Sequence, residues 1–336
     1  MKKYNVAVVG ATGAVGTEML KVMEERKFPV AELKALADPR EAGAIVKFQG
    51  RDYVVEGASP DSFEGVQIAL FAAGDVVKTL GPEAVKRGAV VIDNSSTFRM
   101  APEVPLVVPE VNPEDVRWHK GIIANPNCST IIMVVPLKAI HDAARIKRVV
   151  VSTYQAVSGA GIAGLKELEQ QTRQWANGEK LVPDAFAYQI AFNVIPHIDV
   201  FEPNDYTKEE LKMVFETRKI MHEPEMKVSP TAVRVPVFRS HSESINIELE
   251  SPLDVETVKE LLRKAPGIVV QDEPASKAYP MPLYTADRDE VFVGRIRRDD
   301  TVENGINLWV VADQIRKGAA TNAVQIAEVL IGERLI

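Results

Sequence analysis

The chain has 336 residues, of which 46% are hydrophobic and 26% are charged. This length favours two domains, and this composition excludes a wholly disordered chain. Because 40 lysines and arginines stand against 47 aspartates and glutamates, the net charge is −7. Nucleic-acid binding needs a basic surface, so this charge argues against it.

Cys128 is the single cysteine of the sequence. An intramolecular disulfide and a multi-cysteine zinc site are therefore excluded, and we expect no bound metal. The apolar run near the N-terminus ends at Gly10 and is too short for the core of a signal peptide. Other apolar runs stay below the roughly twenty residues that a membrane-spanning helix needs. We expect a cytoplasmic protein without membrane contact.

Short apolar runs alternate with helical patterns in the N-terminal part of the sequence. Strand, helix and strand in this order require crossover connections, which indicate a mostly parallel sheet. The predicted strands are residues 4–9, 33–37, 68–72 and 89–93, and the predicted helices are residues 17–26 and 76–87.

The middle of the sequence has a different pattern, in which apolar and polar residues alternate with a period of two. This alternation is typical of an antiparallel or mixed sheet with one solvent-facing side. The predicted strands are residues 147–155, 244–250 and 291–297, and the helices between them are residues 163–177, 208–222 and 255–264. The C-terminal part then gives a strand at 306–312 and an apolar helix at 315–330, which we expect to pack on the first domain.

Gly10, Gly13 and Gly16 lie in a turn that follows the first strand and opens the first helix. In dinucleotide-binding turns, such glycines permit the tight turn, the backbone approach to a pyrophosphate, and close packing of helix on strand. Amide groups at the helix start then face the phosphates. Since the spacing is G-x-x-G-x-x-G, a plain tight turn is the alternative.

The predicted fold class is α/β, with a Rossmann-like domain at residues 1–127 and 313–336 and an α+β domain with a mixed sheet at residues 128–312.

Asp38 and Arg40 follow the second predicted strand, where a dinucleotide site normally carries the residue that binds the adenosine ribose. Arg40 would pair with a 2′-phosphate, whereas Asp38 would bind the ribose hydroxyls and repel that phosphate. Both can also be solvated loop charges. These residues alone leave the choice between NADP and NAD open.

Cys128 stands between an Asn-Pro-Asn segment and a long apolar run. Pro126 prevents an earlier helix start and Asn127 fits an N-cap, so Cys128 is predicted in the first helical turn. There, the amides and the helix dipole favour a thiolate, which can act as a covalent nucleophile. An inert core cysteine is the alternative.

A thiolate nucleophile needs a positioned base, and the sequence has five histidines. His141 lies too far along the helix predicted after Cys128 to reach its start. His241 shares with Arg234 a segment in which a strand gives way to polar residues, which indicates a pocket edge. A structural histidine beside an arginine is the alternative.

Residues 10–16, 125–130 and 234–241 together resemble the aspartate-β-semialdehyde dehydrogenase family. The resemblance runs essentially from end to end and includes Gln155 and the segments 157–161 and 312–320. It implies an oxidoreductase that converts L-4-aspartyl phosphate and NADPH reversibly into aspartate 4-semialdehyde, NADP and phosphate through a cysteine thioester. The reaction belongs to the biosynthesis of lysine, methionine, threonine and, in bacteria, diaminopimelate.

The resemblance also implies the roles of the site residues. Cys128 would attack the acyl carbon, His241 would act as general base and acid, and Gln155 would orient the acyl intermediate. Arg234 would bind the substrate carboxylate, and Glu216 would bind its ammonium group. The residues that would bind phosphate are Arg99, Lys219 and Asn127. Without the resemblance, Glu216 and Lys219, which are three residues apart, would be interpreted as a surface ion pair.

For the cofactor, the resemblance implies contacts from the glycine turn, the ribose region and a loop on the nicotinamide side. The residues are Gly10, Thr12, Gly13, Ala14, Val15, Gly16, Asp38, Arg40, Ser158, Gly159 and Gln314. Many members of the family carry serine at the position of Asp38, so NAD is possible here, although Arg40 favours NADP. The family is homodimeric through its second domain, which implies a catalytic and dimerisation domain and a homodimer.

Two alternatives stay open. N-acetyl-γ-glutamyl-phosphate reductase shares the fold and the thioester chemistry, but it must accept an acylated amine, for which an acidic partner such as Glu216 would be wrong. A non-catalytic cofactor-binding homologue would be expected to lack the nucleophile, whereas Cys128 is present.

Overall fold

The computed structural model describes residues 2–336. The chain separates into two compact units, one formed by Met1–Asn127 with Gly318–Ile336 and the other by Cys128–Lys317. Each unit contains one six-stranded sheet. Within residues 2–336, none of the helices combines the length and the hydrophobicity needed to span a bilayer.

The sheet of the first unit is entirely parallel and has the order β5-β2-β1-β6-β7-β8. The strands of this unit are β1 (Tyr4–Val9), β2 (Val30–Ala37), β3 (Ile45–Phe48), β4 (Arg51–Val54), β5 (Glu56–Gly57), β6 (Ile68–Phe71), β7 (Val90–Asp93) and β8 (Ile122–Ala124). Helix α1 (Ala14–Glu25) links β1 to β2, and α2 (Val77–Lys86) links β6 to β7. The strand order reverses between β1 and β6, which is where open α/β sheets bind ligands at the carboxyl ends of their strands.

Strand β1 is buried on both faces, as expected for the centre of a parallel sheet covered by helices. Val6 and Val8 belong to an apolar cluster with the buried side of α1, whereas Ala7 and Val9 belong to a second cluster with α2. The four strands predicted in this part are present. Strands β3, β4, β5 and β8 were not predicted, because β5 and β8 are only two and three residues long and the four-residue strands β3 and β4 contain charged residues.

The sheet of the second unit is mixed and has the order β10-β9-β11-β14-β13-β12. The elements are α3 (Cys128–Ala144), β9 (Ile146–Gln155), α4 (Gly161–Ala176), α5 (Lys208–Ile220), β10 (Lys227–Arg234), β11 (His241–Leu249), α6 (Val255–Lys264), β12 (Ile268–Val270), α7 (Pro282–Thr285), β13 (Val291–Asp299) and β14 (Gly305–Ala312). Helix α3 packs on β9, β11, β13 and β14, so one face of the sheet is covered. Ile245 and Ile247 of β11 are buried there, whereas Asn246 between them is partly exposed. The parallel sheet and the mixed sheet confirm the predicted fold class.

After β14, the chain forms a π-helical turn at Arg316–Ala320 and then helix α8 (Thr321–Gly332). Helix α8 packs on α1, β6 and β7 of the first unit. The helix starts later than the residue 315 expected from its apolar spacing, because the backbone first follows the wider π-helical turn.

Candidate active site

Three chemically active side chains of the second unit meet at one edge of its sheet. Strands β9 and β10 are parallel, and their register pairs Gln155 with Arg234, so both strands end there. Strand β11 runs antiparallel to β9 and begins at the same edge with His241. The sheet register therefore brings together residues that are far apart in the sequence.

The backbone of Ala156 holds two of these side chains. Its N–H donates to Nδ1 of His241 at 3.0 Å, and its carbonyl oxygen accepts from Nη1 of Arg234 at 2.7 Å. All three residues are buried. The imidazole and the guanidinium are therefore both fixed to one peptide segment that directly follows β9.

Gln155 is held from two sides. Its Oε1 accepts from Oγ1 of Thr153 at 3.0 Å, and its Nε2 donates to Oε1 of Glu209 at 3.2 Å. The same Nε2 lies 3.4 Å from Nε2 of His241. Glu209 also accepts from Nζ of Lys212 at 3.1 Å, so the amide is oriented by a carboxylate that has its own cation.

Burial determines the charge states in this cluster. His241 is 0% exposed, and burial together with the charge of Arg234 lowers the pKa of its imidazole well below the usual value. The ring is therefore neutral at neutral pH. Burial also lowers the pKa of Arg234, whereas Glu209 and Cys128 act in the opposite direction. Arg234 and Cys128 thus interact electrostatically within the second unit.

Cys128 is the first residue of α3, a helix of 17 residues, which confirms its predicted place at a helix start. Most of the first turns of this helix are buried, whereas Cys128 itself is partly exposed. The residue therefore lies at the positive end of a helix dipole and is not enclosed in the core.

Gly159 leaves space beside both fixed side chains. A Cβ atom at this position would lie 2.6 Å from Nη1 of Arg234 and 3.4 Å from Nε2 of His241. Next to it, the hydroxyl of Ser158 accepts from Nε2 of Gln314, whose Oε1 accepts from the N–H of Ser240 at 2.9 Å. The structure therefore joins Ser158 and Gln314, two of the residues predicted to contact the nicotinamide side.

Glu216 and Lys219 both lie on α5, which packs on α3 and β10. Glu216 is 1% exposed, whereas Lys219 is partly exposed. A surface ion pair does not describe this arrangement, because one partner is buried inside the second unit. Burial of a carboxylate usually reflects a specific partner or a function.

The glycine turn of the first unit has the shape that phosphate binding requires. Gly10 has a φ of +85°, and a Cβ atom on Gly16 would lie 2.0 Å from the carbonyl oxygen of Gly10. Gly13 is the N-cap of α1, so the amides that follow it open the helix. Thr12, Ala14 and Val15 complete this turn. A nucleotide pyrophosphate fits such a cradle, in which side chains are absent where the backbone must come close.

Asp38 and Arg40 pair with each other. Nε of Arg40 donates to Oδ1 of Asp38 at 2.8 Å, and Nη2 donates to Oδ2 at 2.9 Å. This bidentate pair is at the surface, with the Arg40 side chain 88% exposed. The pKa of Asp38 is lowered, mainly by its hydrogen bonds with Arg40. The carboxylate therefore competes for the guanidinium that would bind a 2′-phosphate.

Arg99 and Asn127, two of the residues predicted to bind phosphate, are buried in the first unit. Arg99 donates from Nε to the carbonyl oxygen of Asn125 at 3.0 Å and from Nη2 to that of Asn94 at 2.8 Å. These bonds fix its guanidinium at the segment that leads into Cys128.

Two buried carboxyl groups near the site were not predicted from the sequence. Glu209 follows Thr207, which forms a capping box with Glu210, so Glu209 resembles an ordinary acid in a first helical turn. Glu243 lies two residues after His241 on the same face of β11 and is fully buried. Within residues 2–336, neither of its carboxyl oxygens has a hydrogen-bond partner. The period-two pattern that buries Ile245 would have located Glu243 if the strand had been extended toward His241.

This chain combines a parallel dinucleotide-type sheet, a helix that begins with a cysteine, and a buried His-Gln-Arg cluster. Comparison with known families gives its class, that of the semialdehyde dehydrogenases. The family model for the NAD binding domain of semialdehyde dehydrogenases matches residues 5–119. The family model for their dimerisation domain matches residues 137–317.

Individual relatives are more specific. Aspartate-semialdehyde dehydrogenase of Aquifex aeolicus is 58% identical over 339 aligned positions, which cover 99% of this chain and 99% of that protein. The structure of aspartate semialdehyde dehydrogenase II from Vibrio cholerae, complexed with ASA, superposes with a TM-score of 0.96 at 49% identity and covers 98% of this chain and 99% of that one. The Candida albicans structure with NADP has a TM-score of 0.77 at 26% identity and covers 100% of both chains. The chain belongs to the aspartate-semialdehyde dehydrogenase family, and it is an oxidoreductase that uses a nicotinamide dinucleotide.

Proposed function

We propose that this protein catalyses the reversible conversion of L-4-aspartyl phosphate into L-aspartate 4-semialdehyde and phosphate, as a step in the biosynthesis of lysine, methionine, threonine and diaminopimelate. Membership in the family supports the substrate. The observation that carries the chemistry is the placement of Cys128 at the start of α3, in the unit that fixes Arg234, His241 and Gln155 at one sheet edge.

Cys128 is the nucleophile of this proposal. In the oxidative direction, its sulfur bonds to the aldehyde carbon while the electron pair of the carbonyl π bond moves to oxygen. In the other direction, the thiolate attacks the acyl carbon of the phosphate substrate, and phosphate leaves with the electron pair of the broken C–O bond. The resulting thioester links both half-reactions. The helix dipole of α3 and the charge of Arg234 favour the thiolate.

Arg234 binds the α-carboxylate of the substrate. Within residues 2–336, its guanidinium makes one hydrogen bond, from Nη1 to Ala156, so the remaining N–H groups can form the bidentate pair that a carboxylate accepts. Glu216, a buried carboxylate on the neighbouring helix, binds the ammonium group. Gln155 orients the acyl group. The proposed phosphate ligands are Arg99, Lys219 and Asn127.

The cofactor-binding domain of this proposal is the predicted domain of residues 1–127 and 313–336, which contains the first unit. When bound, the nicotinamide cofactor accepts or donates the hydride. Gly10, Thr12, Gly13, Ala14, Val15 and Gly16 hold its pyrophosphate. Asp38 and Arg40 lie at the ribose, and Ser158, Gly159 and Gln314 contact the nicotinamide side. We expect NADP to be preferred through Arg40, with NAD also used because Asp38 competes for the guanidinium.

The catalytic and dimerisation domain of this proposal is the predicted domain of residues 128–312, which lies within the second unit, and the protein is a homodimer. The matched dimerisation model supports this assembly. The solvent-facing side of the mixed sheet supports it too, because Tyr154 is 39% exposed there and its ring packs against that of Trp309, tilted by 51° with the centroids 5.5 Å apart. A cavity of about 400 Å³ beside Trp309 is open on this side. Sedimentation of the wild type and of Tyr154→Glu tests the proposal; a monomeric wild type would contradict it.

A spectrophotometric assay tests the reaction. Reduced cofactor should form only when aspartate semialdehyde, phosphate and NADP are all present. The acetylated γ-glutamyl semialdehyde is the control substrate, and the enzyme should reject it because Glu216 binds a free ammonium group.

Cys128→Ala should fold and bind the cofactor but lose nearly all turnover, and mass spectrometry should show no acyl adduct. Substantial turnover by this variant would remove Cys128 from the mechanism. A cytoplasmic location, in which a free thiol stays reduced, belongs to the same proposal.

A further inference from the structure

A long loop of the second unit lies beside the guanidinium of Arg234. Residues 177–207 connect α4 to α5 without forming a helix or a strand of the sheet. Three of them, Ala185, Phe186 and Ala187, line a cavity of about 220 Å³ together with Arg234. Loops of this length in compact domains are usually functional, because ordering their backbone costs conformational entropy. The contacts that order this loop therefore bear on the site.

The carboxylate of Glu167 on α4 binds the first part of the loop. Its Oε2 accepts hydrogen bonds from three consecutive backbone N–H groups, those of Asp184 at 3.2 Å, of Ala185, and of Phe186 at 3.1 Å. Its Oε1 accepts from Nε2 of Gln171 at 2.8 Å. Because Glu167 is buried, these four donors take the place of the water that a carboxylate would otherwise bind.

Gln171, one turn further along α4, binds the next part of the loop. Its Oε1 accepts from the N–H of Ile190 at 3.0 Å and from that of Ala191 at 2.9 Å. Besides Glu167, its Nε2 reaches the carbonyl oxygen of Val182 at 3.3 Å. Two buried side chains of one helix thus bind six backbone groups of the loop.

The loop contacts Arg234 in two ways. The guanidinium carbon lies over the ring of Phe186, 5.8 Å from its centroid. The backbones of Ile195 and Arg234 exchange two hydrogen bonds, at 2.9 and 2.8 Å. Phe186 also lies close to α4, since its Cζ would be 3.1 Å from a Cβ atom on Gly164. The place of this ring is thus set by the loop backbone and by the helix that binds it.

We propose that Glu167 is a positioning residue for Arg234: by binding the N–H groups of residues 184–186, it keeps the ring of Phe186 against the guanidinium that receives the substrate carboxylate. The inference rests on the proposed function, in which Arg234 binds that carboxylate. The hydrogen bond to Ala156 fixes only one end of the guanidinium. An aromatic ring against its face restricts the remaining freedom and leaves the N–H groups in its plane available for a bidentate pair.

Hydrogen exchange of the full-length protein tests the anchor without substrate or cofactor. In Glu167→Gln, the new NH₂ group must face a donor, either Gln171 or the loop, so hydrogen bonds are lost. We expect peptides that contain residues 184–186 to exchange at least about tenfold faster than in the wild type. Unchanged exchange would overturn the inference.

Glu169→Gln is the matched control, because it makes the same change on the same helix. Glu169 pairs at the surface with Arg173, with an N–O distance of 2.6 Å. The control should leave the exchange of residues 184–186 and the two measurements below unchanged. Equal effects of the two variants would mean that any loss of a carboxylate from α4 loosens the loop, which would contradict a specific role of Glu167.

Alkylation of Cys128 by iodoacetamide reports the position of the guanidinium. Arg234 and Cys128 interact electrostatically, and the positive charge of Arg234 favours the thiolate. Because Cys128 is the single cysteine, the rate against pH gives the titration midpoint of this thiol alone. The midpoint should rise by about 0.3 pH units or more in Glu167→Gln. A faster-exchanging loop with an unchanged midpoint would overturn the inference, since Arg234 would have kept its place.

Kinetics separate a positioning role from a loss of stability. Glu167→Gln should raise KM for aspartate semialdehyde roughly tenfold and change kcat by less than about twofold, because binding of the carboxylate depends on the guanidinium. The double variant Glu167→Gln/Gln171→Glu restores a carboxylate–amide pair in reverse order and should recover part of the increase. A lower free energy of unfolding with an unchanged KM would overturn the inference, because it assigns Glu167 a structural role alone.

The outcomes also distinguish this inference from the proposed function. A wild type that does not convert the semialdehyde would refute the proposed function. The exchange and alkylation measurements would still decide whether Glu167 positions Arg234, since neither needs the reaction.

Discussion

Glu243 makes the stability of the protein depend on pH in a way that one substitution can reveal. The carboxyl group is fully buried on β11, and neither oxygen has a hydrogen-bond partner among residues 2–336. Burial raises its pKa well above the ordinary value of 4.5. Glu243→Gln keeps the shape of the protonated side chain and removes its titration.

The sign follows from proton binding. Above pH 4.5 the unfolded chain releases the proton of Glu243, whereas the folded protein retains it up to its raised pKa. The contribution of Glu243 to stability is therefore fully present below pH 4.5 and decreases as pH rises toward the folded value. The limiting slope is about 1.4 kcal/mol per pH unit, so the stability of Glu243→Gln relative to the wild type should increase by this amount for each unit.

Urea unfolding at pH 5, 6 and 7, at one protein concentration, measures the free energies of unfolding. Glu243→Leu is a second variant without a titratable group and should show the same pH slope as Glu243→Gln, because both lack the retained proton. Parallel free-energy curves for the wild type and both variants would refute the reasoning, since they would mean that the carboxyl group is ionised in the folded protein.

Three further substitutions test the regions that we propose to bind the cofactor and the substrate. Gly16→Ala places a Cβ atom 2.0 Å from a carbonyl oxygen of the turn, so the free energy of unfolding should fall by about 1–3 kcal/mol in urea titrations. Asp38→Ser releases Arg40, so the ratio of kcat/KM for NADP to that for NAD should rise roughly tenfold. Gly159→Ala displaces the guanidinium of Arg234, so KM for the semialdehyde should rise roughly tenfold with a smaller change in kcat.

Each of these substitutions has a matched control or a contrary result. A Cβ atom on Gly13 would lie 3.4 Å from the same carbonyl oxygen, so Gly13→Ala should fold normally and mainly weaken cofactor binding. An unchanged cofactor ratio in the Asp38 variant would show that its pair with Arg40 does not compete with a 2′-phosphate. Gly332→Ala, where a Cβ atom meets nothing within 4 Å, controls for the loss of a glycine and should leave KM unchanged.

Much of the fold is encoded locally in the sequence. The predicted bounds of β1 and of α6 coincide with the structure, because an apolar run ends at Gly10 in one case and Asp254 caps the helix in the other. The helix start at Cys128 agrees with the segment before it, because the residue that precedes Pro126 is biased away from helical backbone and Asn127 favours an N-cap. Local signals of this kind do not depend on the rest of the chain.

The meeting of the active groups is not encoded locally. Gln155 and Arg234 come together through the parallel register of two strands, and this register depends on packing across the whole sheet. Their roles were therefore predicted only by the resemblance to a family. Glu243 was overlooked because the predicted strand began one residue after it, whereas β11 begins at His241.

The backbone of Ala156 donates a hydrogen bond to His241 through its N–H and accepts one from Arg234 through its carbonyl oxygen. Its methyl group takes part in neither bond, so a change of the side chain alone does not remove either hydrogen-bonding group. Proline removes the amide hydrogen. An ester in place of the peptide bond that precedes Ala156 would remove the same donor while keeping the carbonyl group that holds the guanidinium. The hydrogen bond to Nδ1 of His241 thus depends on an atom that nineteen of the twenty genetically encoded residue types supply equally well.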